Sequence, residues 1–281
     1  MGFGQGHMGQ PSGFKAGFGE GGGFAPPTGF TWTNAQAETY YNALIAEDPS
    51  IYDLYSKTDI QFKVMLNDNY ATLDDAGVLS KMKKWCPKIG NTSALHGINA
   101  VDPLTYTSTF PNSATFNVGY TGFNGTNQYE ATGFDENEFT ANNNLGISFK
   151  TVSQNFVNGD YQISIGNYVY CTVDNVVGGS YKCYLADSVQ ATSLPFEDGI
   201  GFYTFSSIGT NSNSWKNGVK FNDFTNSNRQ SLVANEIEFM LGDGRYGEAN
   251  MLHLIFHDGL TDTQCEVLAS VIADMDTFLG R

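Results

Sequence analysis

Beyond about residue 95 the chain runs as short alternations of apolar and polar residues, each closed by Gly, Asn or Asp. This rhythm constrains the fold more than any other feature of the sequence. Residues 114–118, 146–151, 161–165, 168–172, 201–205, 219–221, 235–241 and 251–256 all follow it. A period of two sends successive side chains to opposite faces of a strand, whereas a helix needs apolar residues three and four apart. The steps Asn124-Gly125, Asn158-Gly159 and Asn217-Gly218 suit the left-handed dihedrals of two-residue hairpin turns. Many short strands with such turns predict a sandwich or barrel of antiparallel strands. With 281 residues, 41% of them hydrophobic, the chain can fill one large core and carry an appendage.

The appendage is residues 1–31. A Gly-Phe dipeptide recurs there at Gly2-Phe3, Gly13-Phe14, Gly17-Phe18, Gly23-Phe24 and Gly29-Phe30, with Lys15 and Glu20 the only strong charges. Gly-rich backbone loses much entropy on ordering, and five separated rings cannot cover one another, so the segment cannot make a core of its own. It reads as a flexible linker or as an anchor arm; the expectation adopted is the anchor. Phe3, Phe14, Phe18, Phe24 and Phe30 would then dock into pockets of a partner subunit, each burying about 2 kcal/mol of apolar surface. The Gly-x-Gly-x-x-Gly patterns at Gly4 and Gly17 lack the flanking strand and helix of a dinucleotide site and are accidents of composition.

Between arm and strands, residues 32–94 carry helical patterning and are expected to form a connector. Asn34 can cap a helix through Tyr41, Leu44 and Ile45, and a second helical stretch is expected from about Ile60, including 76–84 and ending near Trp85-Cys86-Pro87. At the other end, Thr261-Asp262-Thr263-Gln264 is a capping box before Leu268, Val271, Ile272, Met275 and Phe278, which predicts one amphipathic closing helix. The expected organisation is therefore arm 1–31, connector 32–94 and sandwich 95–281.

Lys and Arg number 14 against 29 Asp and Glu, a net charge of −15 that opposes phosphate backbones and anionic headgroups. Nucleic acid and membrane insertion are not expected, and the opening residues lack the basic and apolar regions of a signal peptide. Gly2 hints at myristoylation, but Gly6 stands where that motif wants Ser or Thr. Cys86, Cys171, Cys183 and Cys265 are too few for a disulfide scaffold and show no zinc spacing. Cys171 and Cys183 could face each other across a hairpin around Val176-Val177-Gly178; the favoured reading leaves both as free thiols. The triplets Asn91-Thr92-Ser93 and Asn124-Gly125-Thr126 match glycosylation acceptors, as an Asn-rich chain does by chance.

Three segments resemble a known family. The stretch from Asp75 to Cys86 is similar to an opening helix. Gly119-Tyr120-Thr121-Gly122-Phe123-Asn124-Gly125-Thr126-Asn127-Gln128-Tyr129 is similar to a G-F-x-G-xx-Y strand motif, and Asp258-Gly259-Leu260-Thr261 with the helix to Arg281 is similar to a closing strand-turn-helix. Together, over about residues 60–281, they resemble the concanavalin A-like (laminin G/pentraxin type) jelly-roll domains, in the variant common among tailed-phage and environmental virus structural proteins. The resemblance implies a mainly β, two-sheet antiparallel jelly-roll sandwich; it implies no single activity, because the fold hosts lectins, hydrolases and structural modules.

Laminarinase-like members of that superfamily carry Glu-x-Asp-x-x-Glu on one strand. Here Glu236 and Glu238 share a face, but Met240 or Leu241 stands where the third carboxylate is needed, so no catalytic residue is expected. His253 and His257 would lie ~13 Å apart along a strand, too far for one metal ion. No Gly-x-Ser-x-Gly elbow or Asp-rich calcium loop is present, and no cofactor is expected. Recognition remains: sugar binding needs aromatic faces and amide or carboxylate groups, and Trp215, Asn217, Asp243, Arg245 and Tyr246 are the glycan-binding candidates. Trp215 also reads as a hairpin aromatic packed on the sheet. The expected function is a virion structural protein, a fibre, spike or decoration element assembled in the host cytoplasm. Its arm would hold it to other virion proteins, and it would form a homo-oligomer such as a trimer and display a head for host-surface glycans. A bacterial cell-surface carbohydrate-binding module and a glycan-cleaving enzyme are the alternatives.

Overall fold

The computed structural model describes residues 30–155, 163–165, 169–174, 180–185, 194–195, 200–225, 230–239, 241–242, 245–246 and 248–281. Two antiparallel sheets carry the body, as the alternation predicts. In chain order the strands are β1 (Met82–Cys86), β2 (Thr115–Asn117), β3 (Tyr120–Asn124), β4 (Glu130–Asp135), β5 (Asn144–Asn155), β6 (Ile163–Ile165), β7 (Val169–Asp174) and β8 (Ser180–Leu185). They continue as β9 (Leu194–Pro195), β10 (Gly201–Ile208), β11 (Asn211–Lys216), β12 (Val219–Thr225), β13 (Glu236–Phe239), β14 (Leu241–Gly242), β15 (Arg245–Tyr246) and β16 (Glu248–His257). The larger sheet runs β12-β11-β10-β5-β16-β3-β2 with β1 also on β16; the smaller runs β4-β13-β6-β7-β8-β9, and β14 pairs with β15. Cys171 and Cys183 are directly opposed between β7 and β8, the hairpin expected for them.

Between the sheets lies an aromatic core. Ile147 and Phe149 of β5, Tyr203 and Phe205 of β10, and Phe256 of β16 meet Phe134, Ile237 and Phe239 of the smaller sheet. The opposite face of the larger sheet is covered too. Phe202, Trp215 and Ile255 pack into a second core with helices α1 (Ala35–Glu47), α2 (Asp59–Asp75) and α4 (Asp262–Leu279). A short helix α3 (Ser93–Gly97) follows β1. The body thus has three layers, helices on sheet on sheet, and β10 is buried on both faces from Phe202 to Ser207. Residues expected to connect arm and sandwich are built into it.

Helix ends follow local chemistry. The Asn34 side chain accepts from the backbone N–H of Gln36 and Ala37, and capping boxes at Thr58/Gln61 and Thr261/Gln264 start α2 and α4. One expectation fails: residues 76–84 do not continue a helix. Gly77 adopts φ +64°, and the Val78 N–H returns to Leu73 O, closing α2. Met82 to Cys86 then extends and pairs with residues 254–257 of β16, so the stretch likened to an opening helix is a helix end, a short 3-10 helix (Leu79–Lys81) and a strand.

One end of the sandwich holds buried charge. Lys88 and Glu130 are both fully buried, with Lys88 Nζ 2.8 Å from each carboxylate oxygen. Ser108 Oγ donates to Glu130 Oε1 (2.5 Å), and buried Lys84 donates to Ser108 Oγ (2.7 Å), Thr132 O (2.6 Å) and Tyr106 O.

Candidate ligand-binding site

A cleft of about 410 Å³ opens where the helical layer stops, at the N-terminus of α4. It is lined by Ser206 and Ile208 of β10, Asn211 and Asn213 of β11, and Leu260 to Thr263. Pairing of Ser206 with Asn213 and of Ile208 with Asn211 puts these four on one face of the hairpin, while the capping box fixes the chain opposite. Ser206 Oγ holds the two walls together, accepting from Leu260 N (2.6 Å) and donating to Leu260 O (2.9 Å). At the cleft margin Lys220 Nζ lies 2.5 Å from Asp223 Oδ1 and 3.1 Å from Asp262 Oδ2. Oriented to suit its neighbours, the Asn213 amide donates to Asp223 Oδ1 (2.7 Å) and accepts from Lys220 (3.2 Å). The hydrogen bond to Asp223 raises the Lys220 pKa, so the ammonium stays charged. The cleft therefore offers amide, hydroxyl and carboxylate groups beside the half-exposed Ile208 side chain.

Sequence reasoning missed this site because its two walls are some fifty residues apart and Thr261 to Gln264 read only as a helix start. Its own candidates fall elsewhere. Trp215 is 1% exposed and packs in the helical core with Lys220 Nζ 5.6 Å from its ring centre, which corrects the expectation that it meets a sugar. Asn217 is a turn residue: at φ 52°, followed by Gly218 at 79°, it accepts from Phe202 N through Oδ1 (2.9 Å), so its side chain shapes the hairpin. Arg245 and Tyr246 lie on the β14–β15 ribbon, and Asp243 falls outside the described residues. Of the anchor residues, Phe3, Phe14, Phe18 and Phe24 fall outside the described residues, whereas Phe30 packs edge-on against Trp32 of its own chain at 4.8 Å.

Of the titratable groups weighed for catalysis, Glu236, His253 and His257 have structural partners. Glu236 accepts from Gly133 N (2.6 Å); half-buried Glu238 has its pKa raised by burial and then by Glu236. Trp85 Nε1 donates to His253 Nδ1 (3.3 Å), and His253 Nε2 lies 2.9 Å from Asp276 Oδ1 and 3.1 Å from Arg281 Nη2. Burial lowers the His253 pKa to about 4; burial would raise Asp276, but His253, Arg281 and Lys150 hold that carboxyl well below the usual range. His257 Nδ1 donates to Asp258 O (2.8 Å) and its Nε2 accepts from Ser148 Oγ (3.0 Å). Such a hydroxyl–imidazole pair resembles a nucleophile and its base, yet both residues are fully buried, and it ties β5 to β16 instead. Among the described residues no three His, Cys, Asp or Glu are grouped to hold a metal ion.

No protein-family model and no curated protein matches this chain. Solved structures do. A sialidase from Trypanosoma rangeli aligns over 75% of this chain and 39% of its own, at 9% identity and a TM-score of 0.51. The same enzyme in complex with sialic acid aligns over 74% and 38%, at 7% identity and a TM-score of 0.52. Domain 4 of an extracellular arabinanase from Geobacillus stearothermophilus, in complex with arabinotriose, aligns over 67% and 98%, at 11% identity and a TM-score of 0.46. The chain spans about two fifths of the sialidase it matches, and at these identities what is shared with the sialidase is the fold, a two-sheet antiparallel β-sandwich of jelly-roll type.

Proposed function

We propose that this chain is a lectin-like module that binds a glycan in the cleft at the α4 N-terminus and is held on an assembled virion by its Gly-Phe arm. The cleft carries the reading. Asn211, Thr263 and Asp262 supply the donors and acceptors that sugar hydroxyls need, and Ile208 with Leu260 supplies an apolar wall for ring C–H groups. Rim polarity alone gives weak binding, so display in many copies raises the avidity. The test is a glycan array followed by calorimetry on the hits. Asn211→Ala with Thr263→Ala should weaken binding at least tenfold while leaving the unfolding midpoint in place. Unchanged affinity, or loss instead on replacing Arg245 and Tyr246, would move the site to the β14–β15 ribbon. For the arm, a chain lacking residues 1–29 should fold and no longer join particles; retention on purified particles would refute the anchor.

A second reading, glycan cleavage, is favoured by one observation: burial, and then Glu236 on the same strand face, raise the pKa of Glu238 above its ordinary value. Release of reducing sugar that disappears in Glu236→Gln would establish it. Release that persists in that variant would not come from this pair.

A further inference from the structure

We propose that β12 is the surface through which two copies of this chain pair, β12 against β12 and antiparallel, with Lys220 of one protomer opposite Asp223 of the partner subunit. Among the described residues β12 ends the larger sheet and is hydrogen-bonded on one side only, to β11. It is also the longest such edge, seven residues against three for β2 and two for β9, while β4 is partly covered by the bridge from Thr109 to Ala131. Edges of this length are ordinarily blunted with charge. This one carries Lys220, Asp223 and a bulge, and beside them exposes Val219 (69%) and Phe221 (36%).

The strand is complementary to itself in one register. A bulge sets Lys220 opposite Trp215 and Asn222 opposite Ser214, leaving Phe221 as the extra residue. Lys220 and Asp223 therefore share the helix-side face, as their own contact shows, and positions 219 and 224 share the other. A two-fold axis between Phe221 and Asn222 sets position 220 against 223 and position 219 against 224, keeping faces matched across the junction. Shifting the register by three residues either way opposes lysine with lysine or aspartate with aspartate, and a shift of one mismatches the faces.

Charge favours the same place. The chain carries −15 in all, and residues 35–75 hold eight carboxylates against two lysines, whereas β12 is neutral. Copies thus meet with less repulsion at this edge than across the helices of residues 35–75. In the paired sheet the two clefts beside β11 fall on one face, about 14 Å apart across three strand spacings and offset along the strands by about five residues, roughly 17 Å.

Sedimentation equilibrium of the full chain should give twice 30.6 kDa. Lys220→Glu and Asp223→Lys should each give the monomer mass, and an equimolar mixture of the two variants should recover the dimer. The pair within each chain stays like-charged in that mixture, so recovery reports a contact between chains. Val219→Lys, which leaves both charges in place, should also dissociate the dimer. A monomeric native chain, variants that remain dimeric, or a mixture that stays monomeric would each overturn the proposal. So would dissociation on deleting residues 1–29, which would make the arm the occupant of the edge.

Discussion

Replacing Glu130 by Ala should be among the most damaging single changes available in the sandwich. The carboxylate is fully buried, accepts both bonds from Lys88 at 2.8 Å and a third from Ser108, and among the described residues is the only carboxylate whose oxygens these groups contact. Removal leaves a buried ammonium whose remaining acceptor is His96 O at 3.2 Å, with a second buried lysine, Lys84, hydrogen-bonded to the same Ser108. Breaking one partner of such a pair costs about 3–5 kcal/mol, since the surviving charge keeps its desolvation penalty without compensation. For a body of this size that is a fall in Tm of roughly 6–20 °C. Replacing both partners together, Lys88→Met with Glu130→Leu, removes both charges and should cost markedly less than the single change. Urea unfolding followed by tryptophan fluorescence and circular dichroism measures both variants. A Glu130→Ala chain within 1 kcal/mol of the native one would refute the reasoning, as would a double variant no more stable than the single.

Acid should destabilise the fold through its histidines. Burial lowers His253 and His257 to about 4 and His96 to about 3, below the ordinary 6.5, so the unfolded chain binds protons that the folded one refuses. Their stabilising contribution is complete above pH 6.5 and is lost as the pH falls toward 4. At its steepest the slope is about 4 kcal/mol per pH unit for three groups. Asp276, held low, adds a further loss below its unfolded value. Urea midpoints taken from pH 7 to 4.5 check this, and a flat profile would count against it. Gly146→Ala should cost more than 2 kcal/mol by the order of overpacking penalties, because a Cβ there would meet His257 Cε1 at 2.1 Å and Phe205 O at 2.5 Å. Gly209→Ala, at φ +62° with a Cβ there meeting nothing within 4 Å, should lower stability by only about 1 kcal/mol. Trp215→Ala should lower stability by about 3–5 kcal/mol, and glycan affinity measured on the folded fraction should not change.

The parts of this fold that local chemistry decides were legible in the sequence. Asn217-Gly218 predicts a hairpin and forms one, and Thr261 with Gln264 predicts a helix start and supplies it. Residues 82–86 were not legible, because Met-Lys-Lys-Trp-Cys has no strong preference of its own. Its strand state comes from pairing with β16, about 170 residues away. Trp215 shows the same limit in another form. Alternation says that Ser214 and Trp215 face opposite ways, but it cannot say that both directions are covered.

That covering also decides where recognition can occur. A sandwich with one free sheet face can bind a ligand anywhere across it, and a sequence search for aromatic and amide residues on strands assumes such a face. Here the helices occupy that face from Phe202 across to Ile255, so a strand residue beneath them serves packing whatever its chemistry; the Ser148–His257 pair is the clearest case. Where the helical layer ends, the same face emerges. It does so at Ile208, Asn211 and Asn213 beside the first turn of α4, and along the outer edge of β12. Variants at Asn211 and Thr263, on a rim that carries no core contact, should alter binding without altering stability, while variants one turn deeper, at Trp215 or His257, should do the reverse.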